Sequence, residues 1–458
     1  MKTFGEHQTY GATMMSLCDQ LGIFYDMGCG KTAMALLWAR DAMREGMEDL
    51  LVVCPASLVR SWENAIDGMI DFEGFTEADV EMLKQRITLS SFQKTYCRKT
   101  SEHVISRGKN KGRVKKEAWY EVRENLAKRW GAILIDESHC IGSHSSVQTQ
   151  VCIELATLTE KRFIMTATPT HGGGGSYDWA KLYGQVQFLE GGKMWRNWTD
   201  FCERYVISYD HWGKPRRYRD DDLKKVLTDH GIVARLEDCH DMPGYIDTVI
   251  PIQLAEKKVY KDIVAGILDR YDLEERSAGN STIKLRQLVS GFLKTELGIE
   301  RYNTNKAQAL RDILSSTAEP LIIFCMFTES IAICKEICDD LKRSVAVFNG
   351  EERAKHGATW EALSEGRVDT LICQYQVGGP GLNLQRSAII VFYEPCLSSL
   401  QLEQSRGRIY RIGQERRCEY IHLSTEDTVE AKTWQSVRNG VDVNDRMLLE
   451  WAREQYLS

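Results

Sequence analysis

Short apolar runs recur along the chain, and each is followed by turn residues and then by a stretch with helical periodicity. Runs that are apolar at successive positions are typical of strands buried on both faces of a parallel sheet. The first run ends near Tyr25. The others are LLVVCP from Leu51, AILIDESH from Ala132, RFIMTATP from Arg162, LIIFCMF from Leu321, SVAVFNG from Ser344, TLICQYQ from Thr370 and AIIVFYEP from Ala388.

These runs fall into two sets, separated by about 150 residues that are rich in helical, aromatic and charged positions. Strands that alternate with helices indicate parallel sheets. A chain of 458 residues is also long enough to bury more than one core. We therefore predict the α/β fold class, with two parallel-sheet domains in tandem and a helical region between them.

Composition is that of an ordinary globular protein, with 43% hydrophobic and 27% charged residues. The 14 cysteines are scattered, without a CxxC pair or a signal peptide, so we expect reduced thiols in the cytoplasm of a bacterium or viral host, or in a eukaryotic nucleus. Cys334 and Cys338 lie one helical turn apart and are interpreted as packing, so no structural metal is expected. No apolar run approaches the roughly 20 residues that span a bilayer, so no membrane association is expected.

The net charge of −6 conceals three local concentrations of positive charge. A basic patch can bind nucleic acid even when the average charge is acidic, because phosphates respond to the local field. Solvated loops explain the first two clusters equally well. The clusters are Arg107, Lys109, Lys111, Arg113, Lys115 and Lys116, then Lys214, Arg216, Arg217 and Arg219, then Arg406, Arg408, Arg411, Arg416 and Arg417.

The stretch LGIFYDMGCGKT joins the first predicted strand to a helix through two glycines. Gly28 and Gly30 let the backbone wrap closely around an anion, and the helix that follows points its free amides at that anion. Lys31 would reach the β and γ phosphates of a nucleotide, and Thr32 would ligate Mg²⁺. A glycine turn that only caps a helix is the alternative interpretation.

Two further groups fit the same chemistry. Asp136 and Glu137 follow a buried strand, which predicts their position at the sheet edge that carries the phosphate loop. Asp136 would bind magnesium, and Glu137 would orient and deprotonate the attacking water. Arg408 and Arg411, three residues apart, are expected on one face of a helical turn, where two guanidiniums could converge on one γ-phosphate.

Taken in order, these motifs resemble those of the Swi/Snf-type ATPases of helicase superfamily two, in a compact form. HQ resembles the adenine-reading Q motif, DMGCGKT motif I, VVCPASLVRSWENAI motif Ia, DESH motif II and TATPT motif III. NKAQALRDIL resembles the start of the second lobe, IIFCMF motif IV, QYQVGGPGLNLQRSAIIVFYEP motif V and QSRGRIYRIGQ motif VI. The resemblance covers nearly the whole chain.

The resemblance implies two RecA-like lobes with helical protrusions, and the cofactors ATP and Mg²⁺ between the lobes. It adds four residues to the predicted nucleotide site: Gln8, Cys29, Gly381 and Gln404. By the same resemblance, residues 1–175 form the ATP-binding lobe, 176–240 its helical protrusion, 241–305 a linker and second protrusion, and 306–458 the C-terminal helicase lobe. Four aromatic residues of the first protrusion are expected in its core rather than on a base-stacking platform: Trp179, Trp195, Trp198 and Tyr205.

The resemblance therefore implies a DNA-dependent ATPase that moves along double-stranded DNA and displaces bound molecules. We expect a monomer without accessory domains, so that substrate choice comes from the motor itself or from a separate protein partner. A helicase that separates DNA or RNA strands shares every nucleotide motif and is the first alternative. A nucleic-acid-binding protein that ATP only switches is an alternative of another class.

Overall fold

The computed structural model describes residues 1–104, 114–170, 178–209, 213–271, 278–295, 297–349, 361–375 and 384–457. The chain divides into two compact units. Unit 1 holds the described residues up to position 240, and unit 2 holds those from position 241 onward. Among the described residues, no helix is both long and apolar enough to cross a bilayer.

Unit 1 contains ten strands and nine α-helices among its described residues. The strands are β1 (Gln20–Tyr25), β2 (Leu50–Cys54), β3 (Ile87–Ser91), β4 (Tyr96–Val104), β5 (Val114–Val122), β6 (Ala132–Asp136), β7 (Arg162–Met165), β8 (Val206–Tyr209), β9 (Pro215–Tyr218) and β10 (Gly231–Ala234). The helices are α1 (Glu6–Leu17), α2 (Lys31–Arg44), α3 (Val59–Gly68), α4 (Glu77–Arg86), α5 (Val147–Ala156), α6 (Ala180–Leu189), α7 (Trp198–Tyr205), α8 (Asp220–Asp229) and α9 (Leu236–Cys239).

Six of these strands form one parallel sheet, in the order β10-β1-β7-β6-β2-β3. Every residue of β2 and β6 is buried, which explains why LLVVC and AILID are continuously apolar rather than alternating. Parallel strands bring all their carboxyl ends to one edge of the sheet. The residues that follow β1, β7 and β6 therefore share this edge, with β7 between the other two.

Unit 2 is built in the same way around a second sheet. Its strands are β11 (Tyr245–Ile252), β12 (Phe292–Thr295), β13 (Gly298–Arg301), β14 (Leu321–Cys325), β15 (Val345–Phe348), β16 (Thr370–Gln374), β17 (Ile389–Phe392) and β18 (Cys418–Thr425). Its helices are α10 (Lys257–Tyr271), α11 (Ala278–Ser290), α12 (Asn305–Ser316), α13 (Thr328–Asp340), α14 (Ser399–Arg406), α15 (Val429–Arg438) and α16 (Asp445–Leu457). The parallel sheet has the order β11-β18-β17-β14-β16-β15.

The two six-stranded parallel sheets confirm the predicted α/β fold class of two RecA-like lobes. Every strand that the apolar runs predict is present. Strands β3, β10, β11 and β18 were not predicted. The region between the sheets also contains two antiparallel hairpins beside its helices, β8–β9 and β12–β13.

The predicted aromatic core of the first protrusion is a real cluster. Trp179 and Trp195 are almost fully buried in it, and Trp198 and Tyr205 pack against it. Three features named from the sequence lie outside the described residues: Gly381, the glycines 172–175 and the basic positions 107–113.

Candidate nucleotide site

The carboxyl end of β1 leads into a sharp loop before α2 begins at Lys31. Gly28 and Gly30 have φ angles of +88° and +73°, a backbone region that strains any residue with a β-carbon. Gly30 is the N-cap of α2 and offers no side-chain cap to the first amides of the helix. Such uncapped amides at a helix start are an anion-binding arrangement.

The Lys31 side chain folds back over this loop. Its ammonium donates to the carbonyl oxygens of Tyr25 at 2.7 Å and Asp26 at 3.0 Å. Both acceptors are neutral, and an anionic phosphate would form stronger, charge-assisted bonds with the same group. Thr32 follows in the first turn of α2 and is half-buried. The lysine is therefore already at the loop that the sequence assigned to phosphate.

Helix α1 holds the loop from outside. The Gln8 amide nitrogen donates to the carbonyls of Cys29 at 3.4 Å and Gly30 at 3.3 Å, and its oxygen accepts from the Gly5 amide at 2.9 Å. A β-carbon added at Gly30 would lie 2.1 Å from the Gln8 nitrogen, so this contact also requires a glycine. The His7 ring contacts the Cys29 carbonyl at 2.9 Å. Gln8 and Cys29, both predicted at the nucleotide, thus meet each other through the loop backbone.

Asp136 lies at the end of β6 and is buried. One carboxylate oxygen accepts from the indole nitrogen of Trp62 at 2.9 Å, and the other accepts from the Glu137 amide at 2.9 Å. Burial raises the pKa of Asp136 to about 6, and the Glu137 charge adds to this rise, while the Trp62 hydrogen bond and the Lys31 charge oppose it. The ionised carboxylate therefore lacks full compensation within the protein and would gain from a nearby cation.

Glu137 has a left-handed backbone, with φ of +51°, which turns its side chain away from the strand direction. Its carboxylate lies 3.3 Å from His139 Nδ1, which also contacts Thr166 Oγ1 at 3.0 Å. Burial lowers the pKa of His139, but hydrogen bonds to Cys140 and Glu137 outweigh it and raise this pKa to about 10. A cationic His139 thus links DESH to the TATP segment after β7.

Gln185 on α6 is a second link that sequence reasoning missed. It is fully buried, accepts from the Ser138 hydroxyl at 2.8 Å, and donates to the carbonyls of Pro169 at 2.6 Å and Lys181 at 2.9 Å. The same side chain thus ties motif II to motif III. The signal available in the sequence was a pair of glutamines, Gln185 and Gln187, inside the largely apolar stretch LYGQVQFL.

In unit 2 the two predicted arginines lie beyond the end of α14. The α-helix ends at Arg406 with Gly407 as its C-cap, and the chain continues through turns that contain Arg408 and Arg411. The expectation of one helical turn is therefore wrong, because the glycine ends the helix before either arginine. Arg408 is buried, and burial lowers the pKa of Arg411, although a guanidinium stays charged. Gln404 lies inside α14.

Two glutamines hold these turns. Gln385 donates to the carbonyls of Arg411 and Ile412. Gln414 is buried and donates to the carbonyls of Ser387 at 2.9 Å, Gln385 at 3.2 Å and Ile409 at 3.3 Å. In the sequence, Gln414 is only the last residue of the motif VI segment QSRGRIYRIGQ. Its contacts identify it as a support for the arginine turns.

Unit 1 thus brings the phosphate loop and the acid pair to one sheet edge, close enough for the Lys31 charge to act on Asp136. The roles assigned to Lys31, Thr32, Asp136 and Glu137 stay predictions, as do those of the unit 2 residues.

Comparison with known proteins decides the family. A model of the SNF2-related domain matches residues 7–297, and a model of the helicase conserved C-terminal domain matches residues 305–413. The chain belongs to the SNF2-related family. This membership confirms the predicted family and the predicted enzyme class, an ATPase of the helicase superfamily.

Relatives and structural neighbours are distant. The chain is 21% identical to a probable global transactivator of Orgyia pseudotsugata multicapsid polyhedrosis virus, over 92% of this chain and 86% of that protein. It is 22% identical to the uncharacterized ATP-dependent helicase MG018 of Mycoplasma genitalium, over 94% of this chain but only 40% of the relative. The Sulfolobus solfataricus SWI2/SNF2 ATPase core in complex with dsDNA aligns over 99% of this chain and 95% of its own, with 19% identity and a TM-score of 0.40.

Proposed function

We propose that this SNF2-family protein hydrolyses ATP to ADP and phosphate and uses the reaction to move along double-stranded DNA. The observation that carries the ATPase half is that the Lys31 loop and the buried acid Asp136 lie at the same edge of the unit 1 sheet, near enough for the Lys31 charge to lower the pKa of Asp136. A solvated turn or a purely structural glycine cap would not place a buried acid within range of a lysine charge.

The phosphate loop would bind the β and γ phosphates of ATP. Lys31 would exchange the carbonyls of Tyr25 and Asp26 for phosphate oxygens, and the first amides of α2 would complete the cradle. Gln8 is hydrogen-bonded to the backbone of the loop, so its position would respond when phosphate binds there.

The donor set also fits Mg²⁺. A threonine hydroxyl and a carboxylate are hard oxygen ligands, and Thr32 and Asp136 would supply them, directly or through water. Burial raises the pKa of Asp136 to about 6, so a cation beside its carboxylate would stabilise the ionised form. The bound cation would neutralise charge on the phosphates during transfer.

Glu137 would position the attacking water and take its proton while oxygen attacks the γ-phosphorus and the bond to the β-phosphate oxygen breaks. His139 holds this carboxylate at 3.3 Å and so fixes its orientation. We assign Arg408 and Arg411 of unit 2 to the charge that develops on the γ-phosphoryl group. Hydrolysis would then depend on these two arginines as well as on the residues of unit 1.

Two observations support double-stranded DNA as the substrate of the motor: membership of the SNF2-related family, and the resemblance of motifs V and VI to those of Swi/Snf-type ATPases. A relative named an ATP-dependent helicase supports the use of ATP and leaves strand separation as the alternative. Phosphate contacts would dominate binding, so affinity should depend little on sequence and should fall with salt.

The test is the ATPase rate measured separately with double-stranded DNA, single-stranded DNA and RNA as activators. We expect the largest stimulation with the duplex. If only RNA or only single-stranded DNA stimulates the ATPase, the hypothesis of a motor that moves along double-stranded DNA is wrong. A rate that none of the three changes would favour a nucleotide-switched binding protein.

A further inference from the structure

Strands β4 and β5 form an antiparallel ribbon that lies outside the six-stranded sheet of unit 1. They pair over nine residues each, from Tyr96 opposite Val122 to Val104 opposite Val114. At about 3.3 Å per residue, the ribbon is roughly 30 Å long. Its base is anchored, because Val122 is buried in the unit 1 core and Tyr96 packs against the same cluster.

The ribbon segment differs in charge from the rest of the chain. From position 96 to position 122 the sequence has eight lysines and arginines against three acids, a net charge of +5, to which the two described strands contribute +1 and the segment 105–113 between them, which lies outside the described residues, contributes +4. The whole chain carries −6, so the remainder carries −11. A local excess of this kind is the electrostatic signature of a polyanion partner.

Near its base, over positions 96–100 and 118–122, the ribbon presents one cation and one exposed aromatic ring on each face, and the half-buried ring of Tyr96 packs edge-on against that of Tyr120. Arg98 is opposite Tyr120 across the strands, and Lys99 is opposite Trp119. Consecutive strand residues point to opposite faces, so the two pairs lie on different faces. All four side chains are exposed, Trp119 at 42% and Tyr120 at 40%. Glu121, which accepts from the Trp119 indole at 2.6 Å, lies on the Lys99 face, as does Glu117 by its strand position.

This arrangement favours duplex DNA over a single strand. Successive unpaired bases stack on neighbouring exposed rings of one surface. Each face here has one exposed ring, and the ring beside Tyr120, that of Tyr96, is half-buried and edge-on to it. Cations on both faces instead match the two phosphate backbones that border a groove. The major groove is wide enough to admit a two-stranded β-ribbon.

We propose that the β4–β5 ribbon is a second DNA contact, which enters the major groove of the duplex and binds phosphates on both sides through Arg98 and Lys99. The proposal rests on the proposed function insofar as DNA is the motor's substrate. It adds an anchoring surface separate from the phosphate loop and the acid pair.

The test compares Arg98→Gln/Lys99→Gln with a control of equal charge change, Lys193→Gln/Lys225→Gln, whose lysines are also exposed in unit 1 but lie off the ribbon. Duplex affinity is measured by fluorescence anisotropy between about 50 and 200 mM salt. Each phosphate contact contributes about 0.9 to the slope of log affinity against log salt, so the ribbon variant should lose about 1.8. At low salt its affinity should fall on the order of 10- to 100-fold, while the control keeps the wild-type slope.

ATP hydrolysis without DNA should be equal in all three proteins, since neither substituted pair is in the nucleotide site, and the ribbon variant should need more duplex for half-maximal stimulation. If the wild type binds duplex DNA, and the ribbon variant and the control have the same slope of log affinity against log salt, the ribbon contact is wrong. The proposed motor function would not be affected by that result. A loss confined to single-stranded DNA would overturn the groove assignment. Failure of the wild type to bind DNA would overturn both the proposed function and the ribbon contact.

Discussion

Replacement of Trp62 by phenylalanine tests how the protein controls its magnesium-binding acid. The change removes the indole nitrogen that donates to Asp136 at 2.9 Å and keeps an aromatic ring in a fully buried position. Hydrogen bonds to charged groups contribute about 1.5 to 3 kcal/mol. This bond favours the ionised carboxylate, so its loss should raise the pKa of Asp136 further above its present value of about 6.

The raised pKa of Asp136 in Trp62→Phe determines how the pH dependence of ATPase activity should shift. Asp136 must be ionised to bind Mg²⁺, so activity should fall as pH drops through the pKa of this carboxyl. In Trp62→Phe that acidic limb should move to higher pH, by about one to two pH units if the whole hydrogen-bond energy is lost. Near neutral pH the half-saturating Mg²⁺ concentration should rise by on the order of tenfold. Excess Mg²⁺ should move the limb back, because the cation competes with the proton.

The assay is the pH dependence of ATPase kcat/KM at several Mg²⁺ concentrations. Trp130→Phe is the matched control, because Trp130 is also buried in unit 1 and its indole donates to a backbone carbonyl, that of Leu126, at 3.0 Å. Loss of stability alone would affect both variants. Identical pH profiles for Trp62→Phe and Trp130→Phe would refute the reasoning.

Four further substitutions test the remaining assignments. Lys31→Ala should lose 10²-fold or more in ATPase rate, because one transition-state cation is removed, and more than about a tenth of the rate left would reject the phosphate-loop role. Glu137→Gln should still bind a fluorescent ATP analogue but not turn over; normal hydrolysis would assign water activation elsewhere. Arg411→Ala in the full chain should keep nucleotide affinity and lose hydrolysis, and an unchanged rate would reject the role proposed for Arg411. Lys306→Ala should destabilise unit 2 by about 3 to 5 kcal/mol in urea unfolding, because it leaves the buried Glu430 without its cation, and a loss below 1 kcal/mol would contradict this.

Sequence patterns predicted the strands whose environment is uniform. Strands such as β2 and β6 are buried on both faces, so their apolar character is visible locally. Strands β3 and β10 are at the edges of their sheet, where a strand is short or mixed in polarity. Strand β18 contains the buried His422, which pairs with Asp247 on the neighbouring β11 at 2.7 Å. A polar residue that finds its partner 175 positions away gives no local strand signal.

In the candidate site too, some residues could be predicted from the local sequence and others could not. Lys31 and the acid pair belong to short motifs whose chemistry can be read from adjacent residues. The supports of those residues are contacts between distant positions: Trp62 reaches Asp136, and Gln185 reaches Ser138 from α6. Nothing in either local sequence specifies the partner, because the fold alone brings the two together. Helix α14 ends before Arg408 because Gly407 is its C-cap. The prediction that Arg408 and Arg411 share a helical turn used only their spacing of three residues and overlooked this glycine.

The central claim is that the protein moves along intact duplex DNA, and displacement of a triplex-forming oligonucleotide tests it most directly. A motor that tracks the duplex can push off a third strand without separating base pairs, each of which would cost about 1.4 kcal/mol in stacking. We predict ATP-dependent release of the third strand by the wild type, none by Glu137→Gln, and no measurable unwinding of a forked duplex under the same conditions. Efficient fork unwinding without triplex displacement would contradict the account and support a strand-separating helicase.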